Sequence, residues 1–137
     1  MKQMRELGIQ LPIVSTVSTE SENLLKNYGK EIEGIIYPFP IEMPKYQEFS
    51  TKFRAKYGEL PGSPSAATAY DATKLLIMAL QSGATTPDEV SIHLHKIQAY
   101  EGVSNRITFD AQGIIASKEY QVKTVRNGQF ILSSLHD

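Results

Sequence analysis

Apolar positions change their spacing along the chain, and this spacing predicts which segments are strands and which are helices. Short runs with β-branched residues at 11–15 and 33–40 predict two strands, the first of them buried. Between them a helix is predicted to begin at Thr19, to use Glu22 in a capping box, and to end at Gly29. A strand, a helix and a second strand in this order favour parallel pairing of the two strands.

Prolines mark several predicted element boundaries. The second strand is predicted to stop near Tyr37, because the proline that follows has no N–H to donate to a ladder. Pro44 suits the first turn of a helix. Further along, Thr86 caps a helix with Pro87 in its first turn, and Glu89 is predicted to complete a capping box there.

The middle of the chain has helical spacing. An aromatic stripe recurs at intervals of three and four, at Tyr46, Phe49, Phe53 and Tyr57. Such spacing is typical of the core face of a helix, although aromatic rings also form stacking platforms for sugars or bases. The next helix, 65–80, carries charge only at Asp71 and Lys74, so little of its circumference is expected to face water.

The C-terminal third changes to the period-two pattern of strands. The segment "YEGVSNRITFDAQG" contains turn residues on both sides of a short apolar run, which predicts a tight hairpin. Within it Gly113 is able to take a positive φ angle, and Asn105 tolerates one. A second hairpin is predicted at Asn127 and Gly128, the pair favoured by type I′ turns.

Composition excludes several function classes. The 137 residues carry 14 basic and 15 acidic side chains, for a net charge of −1, so nothing favours nucleic acid or an anionic membrane as a partner. With no cysteine, thiol chemistry is excluded. The first residues are charged where a signal peptide needs an apolar block, so no export signal is expected in this chain.

The sequence offers little catalytic or metal-binding chemistry. His93 and His95 are two positions apart on a helix and are expected to point in nearly opposite directions, while His136 lies at the chain end. Zinc sites need convergent ligands, so we assign these histidines structural or solvent-facing roles. No phosphate-binding or nucleophile-elbow motif is present, and no cofactor is predicted.

The loop "STVST", residues 15–19, is the strongest candidate for a binding site. It follows the first predicted strand, and ligands of open α/β sheets lie at the carboxyl ends of strands. Its four hydroxyl residues also precede a helix, whose N-terminus favours anionic groups such as carboxylates. The alternative is an ordinary capped loop between a strand and a helix.

Five segments together resemble the type I periplasmic solute-binding proteins of ABC transporters, especially the branched-chain amino-acid (Leu/Ile/Val-type) family. They are "GIQLPIVST", "EIEGIIYPFP", "FSTKFRAKYGELPGSPSAATAYDATKLLIMAL", "YEGVSNRITFDAQG" and "YQVKTVRNGQF". The resemblance implies an α/β fold, three-layered in the intact parent, of which this chain is a C-terminal portion: β-α-β, three helices, then β-hairpins. Residues 1–40 would belong to the second lobe and the crossing strand, 41–99 to the first lobe, and 100–137 to hairpins near the hinge.

The resemblance also implies a site and partners. Ser15, Thr16 and Val17 would line the cleft, with hydroxyl and backbone N–H donation to a carboxylate, and Tyr37 would shield the solute at the crossing. Val17 stands where amino-acid binders of the family place an amine-binding glutamate. Because of this departure, a related small acid or amide is implied as readily as an amino acid. The solute would be delivered to an ABC permease, and the intact parent would be periplasmic or extracellular.

Other interpretations remain open at this stage. The same fold serves as a ligand-sensing domain of receptors or regulators, and a small α/β enzyme would use the same loop. The N-terminus resembles the tail of a truncated helix, and the apolar helix 65–80 needs a cover. We therefore expect this chain either to self-associate, as a homodimer or by exchanging elements, or to be truncated. A purely structural role in oligomerisation is a further alternative.

Overall fold

The computed structural model describes residues 2–116 and 119–133, which form two compact units. The first unit contains the described residues of both chain ends, up to Phe39 and from Tyr120, and the second is Pro40–Glu119. The helices are α1 (Lys2–Glu6), a 3-10 turn (Val17–Thr19), α2 (Glu22–Tyr28), α3 (Tyr46–Tyr57), α4 (Ser65–Gln81) and α5 (Pro87–His95). The strands are β1 (Ile36–Pro40), β2 (Tyr100–Glu101), β3 (Arg106–Ile107), β4 (Tyr120–Arg126) and β5 (Gln129–Leu132). This mixture is the predicted α/β composition.

The predicted parallel pairing in the opening β-α-β pattern is confirmed, but the first strand is much shorter than predicted. Val14 forms a single parallel bridge with Ile36, where a strand over 11–15 was predicted. The prediction that this segment is buried is wrong, since Val14 is 75% exposed. One bridge leaves most of the segment unpaired, and although Ile13 packs against the core, Leu11 is 68% exposed as well.

Two predicted boundaries in the first unit are wrong. Helix α2 is capped by Ser21, whose hydroxyl accepts a hydrogen bond from the N–H of Leu24, and not by Thr19, which is buried in the preceding 3-10 turn. Strand β1 continues to Pro40 instead of stopping at Tyr37. It lies at the edge of the sheet of order β1-β4-β5, and edge strands tolerate prolines whose missing N–H faces away from the ladder.

The core of the first unit lies against strand β1. Ile32, Ile35, Tyr37 and Val125 are nearly inaccessible to solvent and pack together. The type I′ turn at Asn127 and Gly128 is confirmed by its positive φ angles, and the carboxylate of Glu33 accepts the backbone N–H of Asn127 at 2.7 Å. Glu33 thus fastens the turn between β4 and β5.

The aromatic stripe of α3 is a core face, as predicted. Phe49 is buried against Ala67 of α4 and Val103, and the rings of Tyr46 and Phe53 pack around it. Only Tyr57, at the end of the helix, is largely exposed. These rings therefore fasten α3 to the rest of the second unit.

Helix α4 buries one narrow stripe and exposes the rest of its surface. The buried residues recur every four positions, at Ala67, Asp71, Leu75 and Ala79. On its other sides Leu76, Ile77 and Leu80 are each more than 40% exposed. The expectation that little of this helix faces water is therefore wrong for the described chain, which covers a single stripe of it.

Asp71 explains the turn residues of the segment 100–105. Its buried carboxylate accepts hydrogen bonds from the backbone N–H groups of Val103 and Ser104 and from the Ser104 hydroxyl, at 2.6–2.9 Å. The loop comes so close that a Cβ on Gly102 would lie 2.4 Å from Asp71 Oδ2. The hairpin between β2 and β3 is thus folded around a carboxylate from α4.

Only one of the two residues that could take a positive φ angle in this region does so. Gly113 has φ +77°, whereas the φ of Asn105 is not positive. Asn105 is buried, and its side-chain oxygen accepts the N–H of Arg106. The residue with positive φ is Ala99, at +53°, whose N–H donates to the Thr108 hydroxyl.

Candidate functional site

The loop 15–19 is attached to strand β1 through its backbone. The N–H of Ser15 donates to the carbonyl of Ile36 at 2.8 Å, directly after the parallel bridge at Val14. Thr16 then begins the 3-10 turn, with its hydroxyl 3.4 Å from the N–H of Ser18. The hydroxyls of the loop therefore follow a single parallel bridge to β1, where the sequence predicts the end of a longer strand.

The predicted site residues differ in their accessibility. Thr16 is exposed, whereas Ser15 and Val17 are half-buried. Tyr37 is completely buried, so its ring is not available to shield a solute in this unit. Its hydroxyl instead donates to the carboxylate of Glu20, at the end of the loop. All four residues are therefore connected through the loop and β1, but Tyr37 lies beneath the loop instead of on its surface.

Glu20 joins three elements through its side chain. One carboxylate oxygen accepts the hydroxyl of Tyr37 on β1, and the other forms an ion pair with Lys123 on β4. Both charged side chains are mostly buried, with 14% of Lys123 and 20% of Glu20 exposed. Burial, together with the hydrogen bond and negative charge of Glu20, raises the pKa of Tyr37, so its hydroxyl stays protonated and donates.

Aromatic rings surround this ion pair. The ammonium of Lys123 lies 4.5 Å from the centre of the Phe39 ring, within the range of a cation–π interaction. Tyr37 packs edge-on against Phe39 and Phe130, with ring centres 6.5 and 6.3 Å apart. The rings exclude water from one side of the pair, which strengthens the attraction between its charges.

The sequence analysis missed Glu20 and Lys123. Neither residue is singled out by a motif or by its spacing in the sequence. One signal was present: Lys123 and Val125 are two positions apart and so lie on the same face of a strand, and Val125 is apolar. The face that carries Lys123 is the one that turns inward.

Other polar groups of the described residues already have partners. His93 Nδ1 lies 2.8 Å from the Ser82 hydroxyl, and His95 Nδ1 lies 2.8 Å from the carbonyl of Ser91. Within residues 2–116 and 119–133 there is no cluster of three or more His, Asp or Glu side chains that could hold a metal ion. His136 lies outside the described residues.

A cavity of about 200 Å³ in the second unit, between α3, α4 and the loop after β2, is a weaker candidate. Two of its lysines are already engaged: Lys52 pairs with Glu48, and Lys45 donates to the carbonyl of Glu101. Its buried carboxylate, Asp71, is occupied by the loop. These three side chains are therefore engaged within the protein, while a third lysine, Lys74, also lines the cavity.

Among the described helices, none has both the length and the apolar content that crossing a membrane requires.

Comparison with solved structures identifies the fold. A leucine binding protein from Thermotoga maritima matches with a TM-score of 0.79 and 23% identity, over 96% of this chain and 39% of its own. An ABC transporter substrate-binding protein from Desulfitobacterium hafniense, solved in complex with Leu, matches with a TM-score of 0.78 and 26% identity, over 96% and 38%. An extracellular ligand binding receptor from Desulfohalobium retbaense matches with a TM-score of 0.80 and 26% identity, over 98% of this chain and 24% of its own.

These matches cover nearly all of this chain but at most about two-fifths of each solved protein. No curated protein is significantly similar in sequence. The sequence model of the periplasmic binding protein family, however, matches residues 1–129, which is almost the whole chain. On this match and the shared fold, the chain belongs to the periplasmic binding protein family.

Proposed function

We propose that this chain is the C-terminal portion of an extracytoplasmic protein that captures a small polar solute and delivers it to an ABC permease. The observation that supports this most is the hydroxyl-rich loop 15–19, which lies directly after a strand bridge in a chain of this family. Hydroxyl and backbone N–H groups at such a position bind carboxylates and amides without performing chemistry on them.

The proposed contacts come from three consecutive residues. Ser15 and Thr16 donate hydroxyl hydrogen bonds to the solute, and Val17 contributes its backbone N–H. Tyr37 belongs to the site as a support beneath the loop, because its ring is buried. The solute class is an amino acid or a related small acid or amide. Residues 1–40 are proposed to form one side of the cleft, with 41–99 in the other lobe and 100–137 near the hinge.

A solute screen by calorimetry on the full-length protein tests this proposal. The screen uses amino acids, small carboxylates and small amides, and we expect one of them to bind. The double variant Ser15→Ala, Thr16→Ala should then weaken binding by about tenfold or more, since a hydrogen bond is worth about 1 kcal/mol.

The matched control removes two hydroxyls elsewhere. Thr51 and Thr73 are exposed and bond to carbonyls of their own helices, so Thr51→Ala, Thr73→Ala should leave the affinity unchanged. Equal affinities of both double variants and the wild type would remove Ser15 and Thr16 from the site. A screen in which nothing binds would contradict the proposed function itself.

We further propose that the 137-residue chain self-associates as a homodimer. The apolar residues Leu76, Ile77 and Leu80 are exposed on α4, and Ile92 is exposed on α5. Large exposed apolar surface is typical of interfaces.

A further inference from the structure

We propose that Glu20 is a positioning residue that fixes the hydroxyl loop 15–19, and that Lys123 neutralises its carboxylate so that it does not bind the solute. This inference rests on the proposed function of the loop. It assigns a role to an ion pair that lies beside the site but whose groups point away from it, into the core of the first unit.

The position of Glu20 in the chain makes it an anchor for the loop. It follows the 3-10 turn Val17–Thr19 directly, and its own N–H donates to the carbonyl of Val17 at 3.1 Å. Its side chain reaches Tyr37 on β1 and Lys123 on β4, two strands of the same sheet. The C-terminal end of the loop is therefore tied to the sheet by one carboxylate.

Thr19 is buried and the turn has short backbone hydrogen bonds of its own, but the other interactions of the loop are weak or come from its other end. The cap from Thr16 to the N–H of Ser18 is long, at 3.4 Å, and exposed. The backbone bond from Ser15 to Ile36 fixes only the beginning of the loop. A three-residue 3-10 turn has poor hydrogen-bond geometry of its own. The anchor at Glu20 thus decides how firmly the hydroxyls of Thr16 and Ser18 are held.

The ion pair with Lys123 keeps the carboxylate of Glu20 from binding an ammonium group of a solute. A mostly buried carboxylate needs a charged partner, and Lys123 supplies it from a position over the Phe39 ring. An ammonium on a solute would have to displace this lysine from a mostly buried contact. Glu20 is the only acidic residue between residues 15 and 21, so the loop presents hydroxyl and N–H groups but no free carboxylate.

Glu20→Gln in the full-length protein tests the proposal, with Glu33→Gln as the matched control. Both carboxylates lie in the first unit and accept hydrogen bonds from other elements. The hydrogen bonds of Glu33, however, come from the turn at Asn127 and Gly128 and not from the loop 15–19. We measure amide hydrogen exchange of residues 17–21, and the affinity for whichever probe solute the wild-type protein binds. Exchange does not depend on a solute being found.

For Glu20→Gln we expect exchange of the loop amides at least tenfold faster than in wild type and a solute affinity at least fivefold weaker. Glu33→Gln should change neither. Tyr37→Phe keeps the core volume and removes one of the two contacts that anchor Glu20, so exchange of the same amides should accelerate by a smaller factor. This second variant keeps the test decisive if Glu20→Gln does not fold.

The outcomes separate the two proposals. If loop exchange is the same in Glu20→Gln, Tyr37→Phe and Glu33→Gln, the positioning role is wrong. If loop exchange accelerates in the first two variants but solute affinity is unchanged, Glu20 fixes the loop for folding only and the inference fails. If no probe solute binds the wild-type protein, the proposed function fails, while the exchange result still decides whether Glu20 holds the loop.

Discussion

At the residue scale, the structure explains why the chain needs a glycine in the segment 100–105. The carboxylate of Asp71 is buried on α4, and the loop wraps around it to donate two backbone N–H groups and one hydroxyl. Gly102 lies against this carboxylate and against the carbonyl of Asn105, at distances that exclude a Cβ. The turn residues in the sequence predicted a tight hairpin, but nothing in the pattern showed that an aspartate 31 positions earlier was its centre.

Gly102→Ala should therefore destabilise the protein by about 1–3 kcal/mol, the usual cost of overpacking a closed site. The added methyl would meet Asp71 Oδ2 at 2.4 Å and the Asn105 carbonyl at 2.8 Å, and neither is free to move. Urea denaturation of the variant measures this loss. Gly62→Ala is the control, since no atom lies within 4 Å of a Cβ there, and its stability should change by less than about 0.5 kcal/mol. Similar losses in both variants would contradict the close approach.

At the element scale, local sequence signals succeeded where the interaction is itself local. The capping box of α5 forms as predicted: the Thr86 hydroxyl accepts the N–H of Glu89, and the Glu89 carboxylate accepts the N–H groups of Thr85 and Thr86. For α2 the same reasoning predicts the wrong cap, because four consecutive polar residues, 18–21, precede that helix. Thr19 is buried in the 3-10 turn, and Ser21 caps α2 instead.

Thr86→Ala should cost about 1 kcal/mol of stability, the typical value for a lost N-cap.

The hydrogen bonds from Thr85 and Thr86 lower the pKa of Glu89 from its usual 4.5, so this carboxylate stabilises the fold above that pH. As the pH falls below about 4.5 and through the folded-state pKa, this contribution is lost.

Denaturation of the wild type and of Glu89→Gln between pH 7 and pH 3 measures this dependence. The difference in the free energy of unfolding should favour the wild type at pH 7 and shrink at acidic pH. Asp88→Asn, in the same helical turn but outside the capping box, serves as the control. A difference that is constant with pH would contradict the role assigned to the Glu89 carboxylate.

At the scale of the whole molecule, the chain forms two units and leaves one helix largely uncovered. Helix α4 contributes a stripe one residue wide to the core, and its remaining apolar residues face solvent. The solved relatives are more than twice as long as this chain, judged by the share of each that it covers. The exposed apolar residues of α4 are the surface on which the proposed self-association rests.

The 137-residue chain by itself should therefore be a dimer of about 31 kDa, twice its 15.3 kDa, in light scattering. Leu76→Lys together with Leu80→Lys places two charges on the exposed face of α4 and should give the monomer mass. Leu60→Lys, at a leucine of similar exposure outside that face, should leave the dimer intact. A monomeric wild type would contradict self-association.

The sequence by itself determined the type of most elements, the capping box of α5, the type I′ turn and the hydroxyl loop. Each of these depends on residues within a few positions of one another, so their physics is contained in a short segment. The tertiary structure alone decided that Asp71 organises a distant hairpin, that Tyr37 is buried, and that Glu20 pairs with Lys123. Those contacts join residues between 17 and 103 positions apart, and a buried charge has no fixed partner until the fold brings one within reach.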